Sequence, residues 1–301
     1  MRISGTTKLT GLIGNPVEHT VSPVLHNSLF MAMNINGIYV PVKAADGSLK
    51  VVVNGLKAAG FAGFNITIPY KEAILEYTDE FSEEVKLLGV ANTVKIADGK
   101  LYAYNTDADG FARAFEEQTG SDFQRKSVCI LGAGGTAKAL AVKIALKAAE
   151  RVSIINRTEV KAAELASYVN HVIADKDCTG KESTGKVAFA EVLGSIEALR
   201  ALNECDIIVN TTSVGMYPDI DSSPIEQGFL FHSKQIIYDV IYNPTQTKLL
   251  AAAKANGCKT VNGAGMLFYQ GLKAFEIFLD TVVPDWISSC LMAEFLKYLG
   301  T

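Results

Sequence analysis

Short apolar runs separated by stretches of helical periodicity recur along the chain. Leu9–Ile13, Tyr39–Val42 and Gly63–Ile68 read as strands, and the segments between them, Pro23 to about Ile35 and about Leu49–Ala59, as helices. Ser22 before Pro23 supplies an N-cap and a proline at the first helical position, both suited to a helix start. Glu72–Tyr77 opens a further helix, and Val94–Ile96 with Leu101–Tyr104 predicts a hairpin across Asp98-Gly99. A polar stretch at Thr119–Lys126 marks a boundary. Beyond it, strands at Ser127–Leu131, Arg151–Ile155, about Glu204–Asn210 and Gln235–Val240 alternate with helices at Thr136–Ala149, Lys161–Val169 and Thr247–Asn256. The glycines and serines of Cys178–Lys186 mark a surface loop, and Gly263–Leu279 and Pro284–Leu299 read as amphipathic helices. Strands separated by helices in this way predict an α/β protein with a parallel, helix-covered sheet.

One strand ends unusually. In Asn65-Ile66-Thr67-Ile68 the alternation puts Asn65 and Thr67 on one face and the two isoleucines on the other. Pro69 has no N–H to give and stops the ladder, so Lys71 comes just past a strand end, where α/β proteins keep their chemistry. Taken alone, Lys71 also reads as an exposed lysine in a turn.

The stretch CILGAGGTAKAL sets Gly132, Gly134 and Ala137 in a G-x-G-x-x-A pattern where a strand gives way to a helix. Gly132 permits the tight turn, Gly134 lets the backbone approach a pyrophosphate, and Ala137 permits close helix–strand contact. The helix N-terminus adds oriented N–H groups for the anion. At the end of the next strand, where an NAD site carries Asp or Glu, this chain has Asn156 and then Arg157. A guanidinium there can grip a 2′-phosphate, Thr158 adds a hydroxyl and Lys161 a second positive charge, so NADP is the expected cofactor. Glu159 beside them weakens the pattern slightly.

Bulk composition narrows the class. The 301 residues are 49% hydrophobic, enough for a large core in two domains. The formal charge of -4, from 28 basic and 32 acidic residues, suggests neither a nucleic-acid groove nor a membrane surface. The cysteines at 129, 178, 205, 258 and 290 form no C-x-x-C pair. Cys129, Cys205 and Cys258 lie in or beside apolar runs and read as buried thiols. The histidines at 19, 26, 171 and 232 complete no metal-ligand pattern. With no secretory pattern in Met1–Thr10 and no apolar run of spanning length, a cytoplasmic protein is expected.

Other polar residues cluster at strand and helix ends. Thr20 and Ser22 stand just before a helix, where hydroxyls and free N–H groups can hold a carboxylate, unless Ser22 is simply a cap. Asn92 precedes a strand, and Asn105, Thr106 and Asp107 follow one, where an Asx-turn is the plain reading. Gln270 is the polar exception on a packing helix, or a surface glutamine. Polar groups without metal ligands, beside a dinucleotide site, suit hydride transfer to a hydroxylated metabolite, which also needs a proton relay. Lys71 with Asp107 is the pair chosen for that relay, although 36 positions separate them.

These stretches together resemble the shikimate dehydrogenase family. The matching motifs are GNPVEHTVSP (14–23), NITIPYK (65–71), ANT (91–93), NTDADG (105–110) and GAGGTAKA (132–139). NRT (156–158), NTTSVGM (210–216), YNPTQTKLL (242–250) and GML..Q (265–270) follow in order, so the resemblance covers nearly the whole chain. It implies reduction of 3-dehydroshikimate to shikimate with NADPH, in the route to chorismate and the aromatic amino acids. It implies a substrate domain of 1–118 plus 264–301 and a central Rossmann-like NADP-binding domain of 119–263, with the active site in the cleft between them.

Carried over by position, Lys71 is the catalytic lysine and Asp107 its partner. Thr20 and Ser22 hold the substrate carboxylate, and Thr67, Asn92 and Gln270 its hydroxyls, while Tyr242 matches the tyrosine at the cleft. Gly132, Ala133, Gly134, Gly135 and Ala137 line the phosphates. Asn156, Arg157, Thr158 and Lys161 take the adenosine end, and Met216 and Gly263 lie near the nicotinamide. The resemblance implies a monomer or homodimer with small-molecule partners. Three departures stand out: Thr20 where the family generally has serine, Asp109 where relatives often carry a small or apolar residue and where a solvent-facing carboxylate is expected, and the lengthened Cys178–Lys186 region. The alternatives are a broader quinate/shikimate dehydrogenase using NAD, an aminoshikimate-type dehydrogenase, or a non-catalytic sensor with the same fold.

Overall fold

The computed structural model describes residues 3–176 and 186–300. The chain divides into two compact units: the residues through Gly110 with Phe268–Tyr298, and Phe111–Leu267 with the residues from Leu299. In chain order the first unit contains β1 (Lys8–Gly14), α1 (Ser22–Ala32), β2 (Gly37–Lys43), α2 (Leu49–Ala58) and β3 (Phe61–Ile66). A 3₁₀ turn at Ala73–Tyr77 precedes β4 (Glu80–Phe81), α3 (Glu83–Leu88), β5 (Thr93–Ala97) and β6 (Lys100–Tyr104). Then come α4 (Asp107–Thr119), β7 (Ser127–Leu131), α5 (Gly135–Leu146), β8 (Arg151–Asn156), α6 (Glu159–Lys176), β9 (Ala188–Val192) and α7 (Ile196–Glu204). The remaining elements are β10 (Ile207–Asn210), β11 (Ile236–Asp239), α8 (Lys248–Ala255), β12 (Lys259–Val261), α9 (Ala264–Leu279) and α10 (Asp285–Leu299).

The first unit is built on a six-stranded sheet ordered β2-β1-β3-β5-β6-β4. β1 lies parallel between β2 and β3, whereas β5 runs antiparallel to both β3 and β6. The expected hairpin explains the mixture: Asp98 (φ 49°) and Gly99 (φ 70°) both adopt positive φ, as a two-residue turn between right-twisted strands requires. Ile13, Phe64, Ile66, Val94 and Ala103 pack with Leu49, Val53 and Leu56 of α2 on one face.

Two local expectations are corrected here. Ser22 is not the N-cap of α1; Val21 is, with no side-chain cap bond, and Ser22 opens the helix. Instead, Thr20 Oγ1 accepts the Ser22 N–H at 3.3 Å. The third strand ends at Ile66 rather than Ile68, although its neighbours still reach β1: Thr67 N–H donates to Ile13 O and Asn15 N–H to Ile68 O, both at 3.0 Å. The chain turns out of the sheet there, so Ile66 is buried and Ile68 is 71% exposed although both sit on one face of the alternation.

The second unit holds six strands ordered β12-β11-β10-β7-β8-β9, all parallel. The runs VCIL, IIV and IIY are apolar throughout, and VSII is broken only by the buried Ser153, because helices cover both faces. Cys129, Leu131, Ile208 and Ile237 face α7 and α8 through Leu202, Leu249 and Leu250. Tyr238, in the next register position, faces the other way against Phe111 and Phe115 of α4. Chain order reverses between β7 and β10, which puts a topological switch at the carboxyl ends of these strands.

Cys129, Cys205 and Cys258 are buried thiols, as expected, and Cys290 is exposed. Cys178 and the rest of its loop through residue 185 lie outside the described residues. No helix among the described residues is long and apolar enough to cross a membrane.

Candidate active site

Past Pro69 the chain delivers Lys71, whose carbonyl accepts from Ala91 N–H at 2.9 Å and so is tied to the segment before β5. Lys71 Nζ donates to Asp107 Oδ2 at 2.6 Å, an ion pair whose side chains are 31% and 13% exposed. Asp107 opens α4. Its N–H donates to Asn105 Oδ1 at 3.1 Å, the expected Asx-turn, while Asn105 Nδ2 donates to Val90 O. The turn therefore aims the carboxylate, and Asp109, two residues on, is half-buried rather than turned wholly to solvent.

Asn92 links the pair to the interior. Its Oδ1 accepts the Thr106 N–H at 2.8 Å, and its Nδ2 donates to Asp107 Oδ1 at 2.8 Å. A backbone N–H can only donate and a carboxylate can only accept, so these two partners dictate the orientation of the amide. Both oxygens of Asp107 are thus held, one by a cation and one by an amide. Gln270 on α9 is half-buried, and its Oε1 lies 3.4 Å from the same Asn92 nitrogen.

Behind Asn92 runs a buried polar chain that ties together residues far apart in the sequence. Thr93 Oγ1 donates to Asn92 Oδ1 at 2.9 Å and accepts from Asn65 Nδ2 at 3.0 Å. Asn65 Oδ1 accepts from the Tyr39 hydroxyl at 2.8 Å. Burial pushes the Tyr39 pKa upward, and a hydrogen bond with the Ser22 side chain pulls the other way. His26 stacks flat on Tyr39, with ring centroids 4.0 Å apart and planes 8° apart. Full burial holds that imidazole neutral, with its pKa pushed down to about 3. One connected set of side chains therefore runs from Tyr39 to Lys71. Thr20, Ser22 and Thr67 are themselves half-buried.

In the second unit the nucleotide residues gather at strand ends. Gly132 has φ 106°, and a Cβ there would stand 2.9 Å from Thr211 Oγ1, so only glycine suits the turn. Gly134 occupies the N-cap of α5 without a side-chain cap, and open space surrounds the missing Cβ of both Gly134 and Gly135. Ala133 is half-buried, and Ala137 is fully buried beneath the turn. This cradle fits a pyrophosphate. Asn156 ends β8, and its Nδ2 donates to Thr158 O at 3.0 Å, while Arg157, Thr158 and Lys161 are exposed. A dinucleotide phosphate and a 2′-phosphate thus both find suitable residues. Tyr242 is half-buried, with burial pushing its pKa up; Met216 is 45% exposed. Gly263 is buried and donates its N–H to Ile241 O at 3.0 Å, and a Cβ on it would run into Val240 O.

Comparison with known proteins adds an independent line. The family model described as shikimate dehydrogenase substrate binding domain matches residues 12–94, and the one described as shikimate / quinate 5-dehydrogenase matches residues 114–180. A shikimate dehydrogenase (NADP(+)) of Methanocaldococcus jannaschii is 42% identical over 276 residues, covering 92% of this chain and 93% of that protein. The chain belongs to the shikimate dehydrogenase family. A solved shikimate dehydrogenase in complex with NADP+ matches with a TM-score of 0.86 at 39% identity, covering 97% of each chain. The shikimate 5-dehydrogenase of Listeria monocytogenes, in complex with shikimate and NAD, matches with a TM-score of 0.85 at 36% identity, covering 97% of this chain and 98% of that one.

Between two of the family motifs, 210–216 and 242–250, stands a residue to which the sequence assigned no task. Asp239, at the end of β11, is completely buried. Desolvation pushes its pKa up to about 6, against hydrogen bonds from Thr247, the Ile241 N–H and Asn210 that favour the carboxylate. Its only outward sign was an acidic residue closing an apolar strand.

Proposed function

We propose that this chain catalyses the reversible NADPH-dependent reduction of 3-dehydroshikimate to shikimate, in the route to chorismate and the aromatic amino acids. The observation that carries the reading is the Lys71–Asp107 pair at 2.6 Å, with Asn92 on the second carboxylate oxygen. NADPH, when bound, supplies the hydride for the C3 carbonyl. Lys71 holds a proton on Nζ and delivers it to the oxygen that becomes the alcohol; in the reverse direction its amine takes that proton back. Asp107 fixes the ammonium and accepts from a substrate hydroxyl. Asn92, Thr67 and Gln270 take the remaining hydroxyls, Thr20 and Ser22 the carboxylate, and Tyr242 contacts the substrate. Arg157, with Asn156, Thr158 and Lys161, receives the 2′-phosphate, Gly132–Gly135 and Ala137 the pyrophosphate, and Met216 and Gly263 border the nicotinamide.

Buried cysteine thiols and NADPH chemistry suit the cytoplasm, and the enzyme acts on small molecules as a monomer or homodimer. Steady-state kinetics with shikimate and quinate, each with NADP and NAD, test the reading. The highest kcat/KM is expected for shikimate with NADP. Comparable turnover of quinate would make the enzyme a broader quinate/shikimate dehydrogenase, a preference for NAD would remove the role of Arg157, and no turnover of either acid would leave a binding protein.

A further inference from the structure

The NTTSVGM and YNPTQTKLL stretches contribute only Met216 and Tyr242 to the reading above, yet between them stands a buried carboxylate. Asp239 Oδ1 accepts from Asn210 Nδ2 at 3.0 Å and from Ile241 N–H at 3.1 Å, and Oδ2 accepts from Thr247 Oγ1 at 2.7 Å. Asn210 Nδ2 and the Ile241 N–H can only donate, so Oδ1 must accept, whereas the Thr247 hydroxyl at Oδ2 can donate to a carboxylate or accept from a protonated carboxyl. Among the described residues no lysine, arginine or histidine pairs with it. Burying an ionisable group without a counter-ion costs free energy that hydrogen bonds offset only in part.

The bonds lead outward in two directions. Asn210 Oδ1 accepts from Thr212 N–H at 3.0 Å and from Thr212 Oγ1 at 2.7 Å; Thr212 Oγ1 in turn accepts from Val214 N–H at 3.2 Å. That sequence of bonds sets the turn in which Met216 N–H donates to Ser213 O at 3.1 Å. On the other side, the Ile241 N–H bond fixes the first residues after β11, directly before Tyr242. Thr247 caps α8 by accepting from Leu250 N–H at 3.3 Å, which closes the far end of the same loop.

We propose that Asp239 is a positioning residue for the reaction: it clamps the loop after β10 to the loop after β11 and so sets where Met216 and Tyr242 stand. The assignment rests on the roles proposed above for those two side chains. It predicts that removing the carboxylate impairs turnover through Tyr242, beyond any general weakening of the fold.

A double-mutant cycle in the full chain distinguishes the two. Asp239→Ala, Tyr242→Phe and the double variant are compared by kcat/KM for shikimate at saturating NADP, with circular dichroism as the check of folding. Asp239→Ala is expected to lower kcat/KM by about tenfold to a hundredfold, the scale on which misplaced substrate contacts act. Asp239→Asn, which keeps one acceptor for Asn210 and Ile241, is expected to recover most of that loss. In the double variant the combined loss should fall short of the product of the single losses by at least about threefold, because Tyr242 without its placement has little left to lose. If Asp239→Ala does not fold, Asn210→Ala takes its place in the cycle, cutting the tie from the β10 side. Additive losses, or a folded Asp239→Ala enzyme with wild-type kcat/KM, overturn the proposal. A Tyr242→Phe enzyme with unchanged kcat/KM instead overturns the role of Tyr242 on which the proposal rests.

Discussion

Asp107 and Asp239 are both aspartates at element ends, each held on both carboxylate oxygens, yet the two units treat them in opposite ways. In the first unit Asp107 opens a helix, stays partly exposed and meets Lys71 at 2.6 Å. In the second, Asp239 closes a strand, is completely buried and meets only neutral donors. The cations are placed to match. Lys71 is committed to its carboxylate, whereas Arg157 is exposed and, among the described residues, pairs with no acid. A reaction that moves a proton needs a charged pair within reach of solvent and substrate. A site that receives an anionic cofactor needs its arginine uncommitted, and its internal carboxylate is better used to hold backbone in place.

Breaking the Lys71–Asp107 pair should have the largest effect. Lys71→Ala is expected to lower kcat by roughly 10²–10⁴-fold, the scale of a positioned proton-transfer group. NADP affinity, measured by calorimetry, should remain that of the wild type because the lysine belongs to the substrate unit. A folded variant with near-normal kcat, and with product release shown not to limit turnover, would remove Lys71 from the chemistry.

The buried carboxylate predicts a pH signature of its own. The folded pKa of Asp239, about 6, lies above its ordinary 3.8, so the fold favours the protonated form. That contribution is complete below about pH 4 and is lost as pH rises through about 6, a change of about 3 kcal/mol over the window. Asp239→Asn cannot ionise. Its unfolding free energy should therefore rise relative to wild type between pH 4 and 7.5, as measured by urea denaturation at several pH values. Parallel curves for the two proteins would show that folding does not raise the pKa of Asp239.

The uncommitted arginine gives a smaller effect confined to one cofactor. Arg157→Ala removes a charge-assisted contact of about 1.5–3 kcal/mol, so NADP should bind about tenfold to a hundredfold more weakly while NAD is unaffected. Equal losses for both dinucleotides would place the arginine away from the 2′-phosphate.

Smallest of all is the change one layer behind the Lys71–Asp107 pair. Thr93→Val removes the hydroxyl between Asn65 and Asn92 with little change of shape, at an expected cost of about 0.5–1.5 kcal/mol. In kinetics this should appear as a several-fold lower kcat with an unchanged KM for NADP, restored by Thr93→Ser. If serine fails to restore it, the hydroxyl is not what holds Asn92.

Local chemistry was enough to reveal much of this protein. Asp98-Gly99 between two apolar runs dictates its hairpin because few residues tolerate two successive positive φ angles. The glycine pattern after Ser127–Leu131 dictates a phosphate turn, since Gly132 adopts a conformation closed to other residues. The absence of an acid after Asn156 was visible without any coordinates. Only the tertiary structure decided the rest. Ser22 looked like a cap, but where a cap falls depends on how the preceding loop approaches the helix, and here Val21 takes the place. The strand β9 and the helix α7 escaped notice because α7 buries only Ala198 and Leu202 and its surroundings are polar. Lys71 and Asp107 are brought together by the register of β3, β5 and β6. Asp239 finds Asn210 because β10 and β11 lie side by side, with the two residues in register. Side chains announce their own chemistry locally, but a hydrogen-bond partner dozens of residues away is chosen by sheet register, and register is a property of the folded core.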